Sequence, residues 1–251
     1  MSGQNGHQPL RRQSLRGSQL TPVLLQAMSD LRRSVMTMKA HIDKDADFQK
    51  FAAFCASCRH VNLFYDAAGQ LAGMHTFAVR RGKTAAGKRY LLIIAEYGFS
   101  LPQYRGHPAL PMSLFPTAWH LLREWRGGAI WFGGIGYPAG LLVIDKLLGP
   151  LWLNSDPGLP PMARTMLDLL IDIVAGKNRD QANGIVVMPT IPPPMPPRWQ
   201  AYADARPLYR RYVAHCPQWR QGFGMAGVVQ VKPLRAMWRA MRNAMRRRSA
   251  A

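Results

Sequence analysis

Acidic residues are scarce in this chain of 251 residues. Thirteen Asp and Glu stand against 33 Lys and Arg, which gives a formal net charge of +20. A field of this strength favours an anionic partner, such as nucleic acid, lipid headgroups or an acidic protein. The charge alone does not select among these three classes of partner.

Cysteine is also scarce, with three residues in all. Cys55 and Cys58 form a lone C-x-x-C, and Cys216 lies far from them in the sequence. An ordinary zinc site needs a second pair of ligands, and His60 is too close to this pair to complete one. We therefore expect no metal site, and instead a reduced, buried pair of thiols on a helix in a cytosolic protein.

No strong signal for export or membrane insertion is present. Residues 1–20 are polar and have no apolar central run, so no secretory signal is predicted. Residues 127–144 carry no charge over eighteen positions, which is near the lower limit for a membrane-spanning helix. Four glycines from Gly133 to Gly140, with Pro138 among them, disfavour a helix. We interpret the run as a buried strand, a turn and a buried helix face, and expect a cytoplasmic protein.

The remaining pattern is that of a globular chain, with 48% hydrophobic and 18% charged residues. The run Tyr90–Ala95 is continuously apolar, which predicts a central strand covered on both faces. Strand and helix patterns alternate along the chain, so we predict a mixed α/β fold. The predicted strands are 61–66, 71–80, 90–95, 129–135 and 185–188, and the predicted helices are 47–58, 112–125, 139–148 and 162–174.

We divide the chain into a basic, disordered tail (1–35), one α/β domain (36–190) and a C-terminal part (191–251). The last part begins with a proline-rich stretch and ends in a basic amphipathic helix over residues 234–248. Such a helix is suited to an anionic membrane surface, which places the protein at the inner membrane periphery. Nucleic acid is less favoured because no recognition motif is present, and packing of the helix on the protein's own core is the alternative. The predicted contact residues are Arg235, Trp238, Arg239, Arg242 and Arg246.

Three stretches of the chain resemble the GNAT superfamily of N-acyltransferases. Residues 95–106, AEYGFSLPQYRG, are similar to the strand and V-x-P-x-Y-R-G loop of that family. Residues 129–135, AIWFGGI, are similar to its neighbouring strand, and residues 137–149, YPAGLLVIDKLLG, to its N-P-x-A-x-x-x-Y-x-K-x-G-F segment. The likeness is closest to the long-chain N-acyl amino acid and ornithine-lipid synthase branch. It implies a GNAT-like fold with a C-terminal extension.

The resemblance also implies an activity, namely direct transfer of an acyl group, of fatty acyl type, to an amine. The donor would be acyl-CoA or an acyl group on acyl carrier protein, with no metal. Glu96 would be the base, because burial at the end of an apolar strand raises a carboxyl pKa towards working pH; a plain ion pair with an Arg is the alternative. Tyr137 would serve as the acid, since Ile144 stands where the family has its tyrosine. Four residues would hold the donor: Phe99, Leu101, Arg105 and Gly106.

One loop departs from the family pattern. The family has R-G-x-G-x-G/A, whose glycines let backbone N–H groups approach a diphosphate, whereas residues 105–110 here read RGHPAL. Pro108 has no N–H, Leu110 adds bulk, and we expect His107 to be exposed to solvent. The departure supports a second interpretation, a degenerate GNAT-like module that binds anionic lipid or nucleic acid without catalysis. A catalytic protein would keep an open tunnel past Glu96, whereas a binding module would fill it.

Overall fold

The computed structural model describes residues 9–113, 116–117, 125, 127–174, 179–180 and 184–232. Most strands in these residues belong to one mixed sheet, in which consecutive strands joined by a short turn pair as hairpins. The strands are β1 (Arg11–Leu15), β2 (Thr37–Met38), β3 (His60–Tyr65), β4 (Leu71–Lys83), β5 (Arg89–Ser100), β6 (Ala129–Gly136), β7 (Trp152–Leu153), β8 (Arg179–Asp180), β9 (Ile185–Val187), β10 (Thr190–Ile191) and β11 (Phe223–Gln230).

The strand order in the main sheet is β1-β3-β4-β5-β6-β11-β9-β8, and β7 also pairs with β11. β5 and β6 pair in parallel, whereas the other described strand pairs are antiparallel. β2 and β10 form a separate two-stranded sheet. The predicted mixed α/β fold is confirmed, and its sheet is mostly antiparallel.

Helices cover both faces of the sheet. They are α1 (Pro22–Val35), α2 (Lys44–Ser57), α3 (Ala109–Met112), α4 (Pro138–Leu148), α5 (Pro161–Val174), α6 (Pro197–Asp204) and α7 (Pro207–His215). Residues Leu92 and Ile94 of β5 face one hydrophobic cluster, with helices α1, α2 and α5, while Leu91 and Ile93 face the other, with α4 and α7. All four side chains are at most 2% exposed, as a continuously apolar central strand requires.

The parallel strands β5 and β6 separate part-way along their length. Their pairing runs from Tyr90 opposite Ala129 to Ile94 opposite Gly133 and ends there. A Cβ at Gly134 would overlap the carbonyl oxygen of Ala95, whereas one at Gly136 would meet no atom within 4 Å. Beyond this point β5 stays paired with β4 and β6 with β11, so a gap opens between the two strands at their carboxyl ends.

The predicted disordered tail, residues 1–35, is wrong for its described part. Residues 11–15 form β1, which pairs with β3, and residues 22–35 form α1. Thr21 caps α1, since its hydroxyl accepts a hydrogen bond from the N–H of Leu24 at 3.3 Å. Met28 and Leu31 are then 0% and 5% exposed in the core. Their apolar spacing, which follows a Thr-Pro helix start, outweighs the basic composition.

The predicted domain boundary at residue 190 does not separate two units. β11 is an interior strand of the main sheet, between β6 on one side and β7 and β9 on the other, so residues 191–232 belong to the same fold. The uncharged run 127–144 forms β6 and α4 as predicted. Among the described helices, none is both long and apolar enough to cross a membrane. The predicted basic helix over residues 234–248, with its five contact residues, lies outside the described residues.

Candidate functional site

Glu96 lies in a β-bulge at the point where β5 leaves β6. The pairing between β4 and β5 passes from His75 opposite Gly98 to Phe77 opposite Ala95, so two residues of β5 face Thr76 alone. The N–H of Tyr97 donates to the hydroxyl of Thr76 at 3.1 Å, which closes the bulge. A bulge re-aims the side chains it contains. The predicted base therefore sits at the mouth of the gap between the strands.

A buried ion pair lies beside Glu96. The guanidinium of Arg32, on α1, is 2.8 Å from Asp47 Oδ1, on α2, and the two residues are 2% and 9% exposed. The Arg32 guanidinium carbon also lies 5.4 Å from the ring centroid of Phe51 and 5.5 Å from that of Tyr97. Such stacking suits the planar guanidinium. One cation is thus enclosed between one carboxylate and two rings.

Burial sets the protonation of this cluster. Desolvation raises the pKa of Glu96 to about 8, against a smaller lowering by the Arg32 charge. Glu96 Oε2 is buried and accepts no hydrogen bond from the described residues, although the residue as a whole is partly exposed. With a pKa of about 8, raised mainly by burial, Glu96 is mostly protonated at neutral pH and ionises just above it.

Tyr137, the predicted acid, is the single residue between β6 and α4, and β6 is the strand next to β5, which carries Glu96. Its hydroxyl donates to the carbonyl oxygen of Thr190 and lies 3.4 Å from the Thr190 hydroxyl. Burial raises the pKa of Tyr137 to about 12, while the Thr190 hydrogen bond and the Arg32 charge oppose the rise. Arg32 thus influences both predicted catalytic residues. Tyr137 remains protonated at neutral pH, as a proton donor must.

Most backbone N–H groups in the loop after β5 donate hydrogen bonds to acceptors in the same loop. Residues Pro102–Tyr104 form a 3-10 turn, in which the N–H of Arg105 donates to Pro102 at 3.2 Å. Further along, the N–H groups of Tyr104, His107 and Leu110 donate to carbonyls of the loop, and that of Ala109 donates to His107 Nδ1 at 3.1 Å. His107 is 7% exposed, so its predicted solvent exposure is wrong. The reason is that its ring closes the turn from inside.

Two of the predicted donor-binding residues, Phe99 and Leu101, lie near the end of β5 and directly after it. Phe99 and Leu101 are both half-buried, and the ring centroids of Phe99 and Tyr97 are 6.0 Å apart. The N–H of Leu101 donates to the carbonyl of Ala72 at 2.9 Å, which holds the end of β5 against β4. The chain thus brings Glu96, Phe99 and Leu101 to one end of β5, next to the loop of Arg105 and Gly106.

A cationic cleft of about 1400 Å³ opens beside this region. One wall is the segment between α1 and α2, and the other is the proline-rich stretch 192–195 with Trp219. Its described lining contains no acidic residue but mixes basic and apolar side chains. Met38 joins the cleft to the buried cluster, because its sulfur lies 3.9 Å from Arg32 Nη2. The basic lining residues are Arg33, Lys39, Lys44, Arg105 and Arg220.

The cysteines are thiols in the interior. Cys55, Cys58 and Cys216 are free and buried. Burial raises the pKa of Cys58 to about 12 and raises that of Cys55 as well, so neither is a reactive thiolate at neutral pH. In the part of the chain that the structure describes, no group of three or more His, Cys, Asp or Glu side chains is arranged to hold a metal ion.

Comparison with solved structures returns N-acyltransferases. A probable N-acyltransferase from Enterococcus faecalis is 15% identical, with a TM-score of 0.38 over 52% of this chain and 30% of its own. An acetyltransferase from Trypanosoma brucei is 18% identical, with a TM-score of 0.37 over 55% of this chain and 91% of its own. An aminoglycoside 6'-N-acetyltransferase from Acinetobacter baumannii is 16% identical, with a TM-score of 0.34 over 50% of this chain and 78% of its own. At these values the likeness does not establish a family.

No protein-family model and no curated protein sequence matches the chain. The match to the Enterococcus faecalis protein spans less than a third of that protein's length.

The groups that surround Glu96 were not predicted from the sequence. Arg32 fell in the predicted tail, and Asp47 in a helix to which no site was assigned. An Arg one position after Leu31, within an apolar helix face, is a signal that a buried ion pair is present. Thr76 gave no signal in the sequence, because a bulge depends on the register between two strands, and the sequence of one strand alone does not show that register.

Proposed function

We propose that this protein is an N-acyltransferase that moves an acyl group from a thioester donor to an amine. The observation that carries the proposal is Glu96, a carboxyl with its pKa near 8 in a bulge beside the gap between β5 and β6. A general base works best when its pKa is close to the operating pH. The resemblance in residues 95–106 assigns the same residue to the same role.

The gap between the strands suits the pantetheine arm of a donor. Where β5 and β6 diverge, their facing edges no longer bond to one another. An extended ligand with amide groups binds such edges as an added strand would. Phe99, on β5, and Leu101, directly after it, offer apolar contact to this arm. Donor binding here places the thioester close to Glu96, and Tyr137, directly after the neighbouring strand β6, supplies the proton for the departing thiolate.

The cationic cleft is suited to a ligand with an anionic head, either an acceptor or an acyl chain, and not to a polycation. Five basic side chains and no acidic one line its described walls. Met36, Met38, Ile42 and Trp219 supply apolar surface beside them. We assign to this cleft the amine substrate, or the fatty acyl chain of the donor. Acyl carrier protein and an anionic membrane surface, both of which match the net charge of +20, are the partners that we propose.

A second candidate function has an observation of its own. The loop Tyr104–Leu110 bonds most of its N–H groups internally, so it does not form the diphosphate cradle of an ordinary CoA enzyme. A module that binds an anionic ligand in the cleft without catalysis is consistent with this loop. The two candidates differ in one measurable respect, which is turnover that depends on Glu96.

Mass spectrometry of small molecules extracted from the purified protein comes first, because a bound fatty acyl species or N-acyl amine identifies the chain length and the acceptor. Thiol release from acyl-CoA and from acyl carrier protein is then followed with mixed amines for wild type, Glu96→Gln and the control Asp168→Asn. Asp168 is an exposed carboxylate on α5. We expect Glu96→Gln to lose about 10²- to 10⁴-fold in kcat and the control to lose nothing. Equal turnover in all three proteins would reject Glu96 as the base, and ligand binding without any turnover would favour the second candidate.

A further inference from the structure

The loop after β5 leaves one backbone N–H available to an anion. Between Tyr104 and Leu110 the N–H groups of Tyr104, Arg105, His107, Ala109 and Leu110 are bonded inside the loop. Pro108 has none. Gly106 is therefore the exception in this described stretch, and its φ of +84° is one that glycine adopts without strain.

Helix α6 places two side-chain donors next to Gly106. A Cβ at Gly106 would lie 3.8 Å from Arg198 Nη2 and 3.9 Å from Trp199 Nε1. Both atoms are therefore within reach of one small group seated against the glycine. Arg198 is exposed and Trp199 half-buried, so the position is open to solvent. The absence of a side chain at Gly106 leaves room for a ligand atom between the loop and α6.

Within the described residues these donors have no acceptor. No hydrogen bond or ion pair joins the guanidinium of Arg198, the indole N–H of Trp199 or the guanidinium of Arg105 to another described group. The Trp199 ring packs on Tyr202 with the ring centroids 5.5 Å apart, which fixes its orientation. A cation and an oriented N–H donor at one open point, with a second arginine one residue before the glycine, are the elements of a phosphate site.

We propose that Arg198 and Trp199, together with Arg105 and the N–H of Gly106, bind a phosphate ester of the donor. Side chains from α6 here replace the backbone donors that the loop has lost. Arg105 also lines the cationic cleft, so the bound phosphate lies at the rim of that cleft. This site rests on the proposed acyltransfer. The phosphate is that of CoA or that of the phosphopantetheine arm of a carrier protein, since both present the same chemistry.

Binding of three probes to the full-length protein tests the site: CoA, 4'-phosphopantetheine and pantetheine, which lacks the phosphate. We expect Arg198→Ala to weaken binding of the two phosphorylated probes about 10- to 100-fold, the loss of one charge-assisted contact, and to leave pantetheine unchanged. Trp199→Phe keeps an aromatic ring but removes the indole N–H, so it should weaken binding of the same two probes by a smaller factor. Arg210→Ala, which removes an exposed arginine on α7, is the matched control and should bind as wild type does.

The outcomes separate this site from the proposed activity. If the probes bind to wild type but Arg198→Ala and Arg210→Ala behave alike, the α6 site is wrong while acyltransfer stands. If none of the probes, nor carrier protein bearing phosphopantetheine, binds to wild type, the donor itself is wrong. Tighter binding of CoA than of 4'-phosphopantetheine identifies CoA as the source, and tighter binding of the loaded carrier protein identifies the carrier.

Discussion

Replacing Glu96 by Gln is expected to stabilise the folded protein by an amount that grows with pH. Burial raises the pKa of Glu96 from its ordinary 4.5 to about 8. As pH rises through this interval the unfolded chain releases the proton while the folded chain keeps it, so folding stability falls with rising pH. At about 1.4 kcal/mol per pH unit, the full cost above pH 8 is roughly 4–5 kcal/mol. Gln does not ionise, so the variant escapes this cost.

The pH dependence, and not the absolute stability, is the informative quantity. The Gln amide introduces donors next to a site whose carboxyl oxygen already lacks a partner in the described residues, and this penalty is the same at every pH. Other groups that titrate are common to both proteins and cancel in the difference. We therefore expect the stability of Glu96→Gln relative to wild type to increase by about 2–3 kcal/mol between pH 6 and pH 9.

Urea denaturation at pH 6, 7.5 and 9 measures this difference, with Asp168→Asn as the exposed carboxylate control. Its stability should track that of wild type at all three values. Parallel pH curves for wild type and Glu96→Gln would refute a buried carboxyl at this position, and with it the reason for naming Glu96 as a base. A positive result would also show that the protein sacrifices stability at this residue, as catalytic groups often do.

Three further outcomes are expected, two from the structure and one from the sequence of the C-terminal segment. Arg32→Met should lower the free energy of unfolding, measured by urea denaturation, by about 3–5 kcal/mol, because it leaves Asp47 buried without its cation. Adding Asp47→Asn should restore part of this loss. If the effects of the two substitutions simply add, the pairing is contradicted. Tyr137→Phe should lower the free energy of unfolding by about 1–2 kcal/mol, because the hydrogen bond to Thr190 is lost. If Tyr137 is the proton donor, this variant should also show a lower kcat with KM retained. An unchanged kcat would exclude that role. Removal of residues 232–251 should weaken co-sedimentation with anionic vesicles, and equal binding by the shortened chain would locate any lipid contact elsewhere.

The proposed activity depends on three regions that are distant in the sequence. Glu96 and the gap come from β5 and β6, while Arg32, which holds the charge beside Glu96, comes from α1, and the cleft wall comes from the proline-rich stretch. A variant in α1 can therefore alter the pKa of Glu96 without any contact to substrate. This coupling gives the Arg32→Met variant a second readout, because loss of the cation should raise the pKa of Glu96 further.

Local patterns in the sequence determined the central strands and several helices. The continuous apolar run Tyr90–Ala95 predicted a strand buried on both faces, and alternate residues of β5 do pack into two separate clusters. Gly149 and Pro150 marked the end of α4, since a glycine with φ of +122° stops a helix. These features follow from side-chain periodicity and backbone freedom, which are properties of a few neighbouring residues.

Only the tertiary structure decided the environment of the site. The basic composition of residues 1–35 suggested a tail, yet Met28 and Leu31 lie in the core, because burying that face outweighs the repulsion among a few arginines. The bulge at Glu96, the enclosure of Arg32, and the approach of Arg198 to Gly106 each join segments from tens to roughly a hundred residues apart. Whether a carboxyl ionises near pH 8 or near 4.5 depends on which distant segments exclude water from it, and that is set by packing alone.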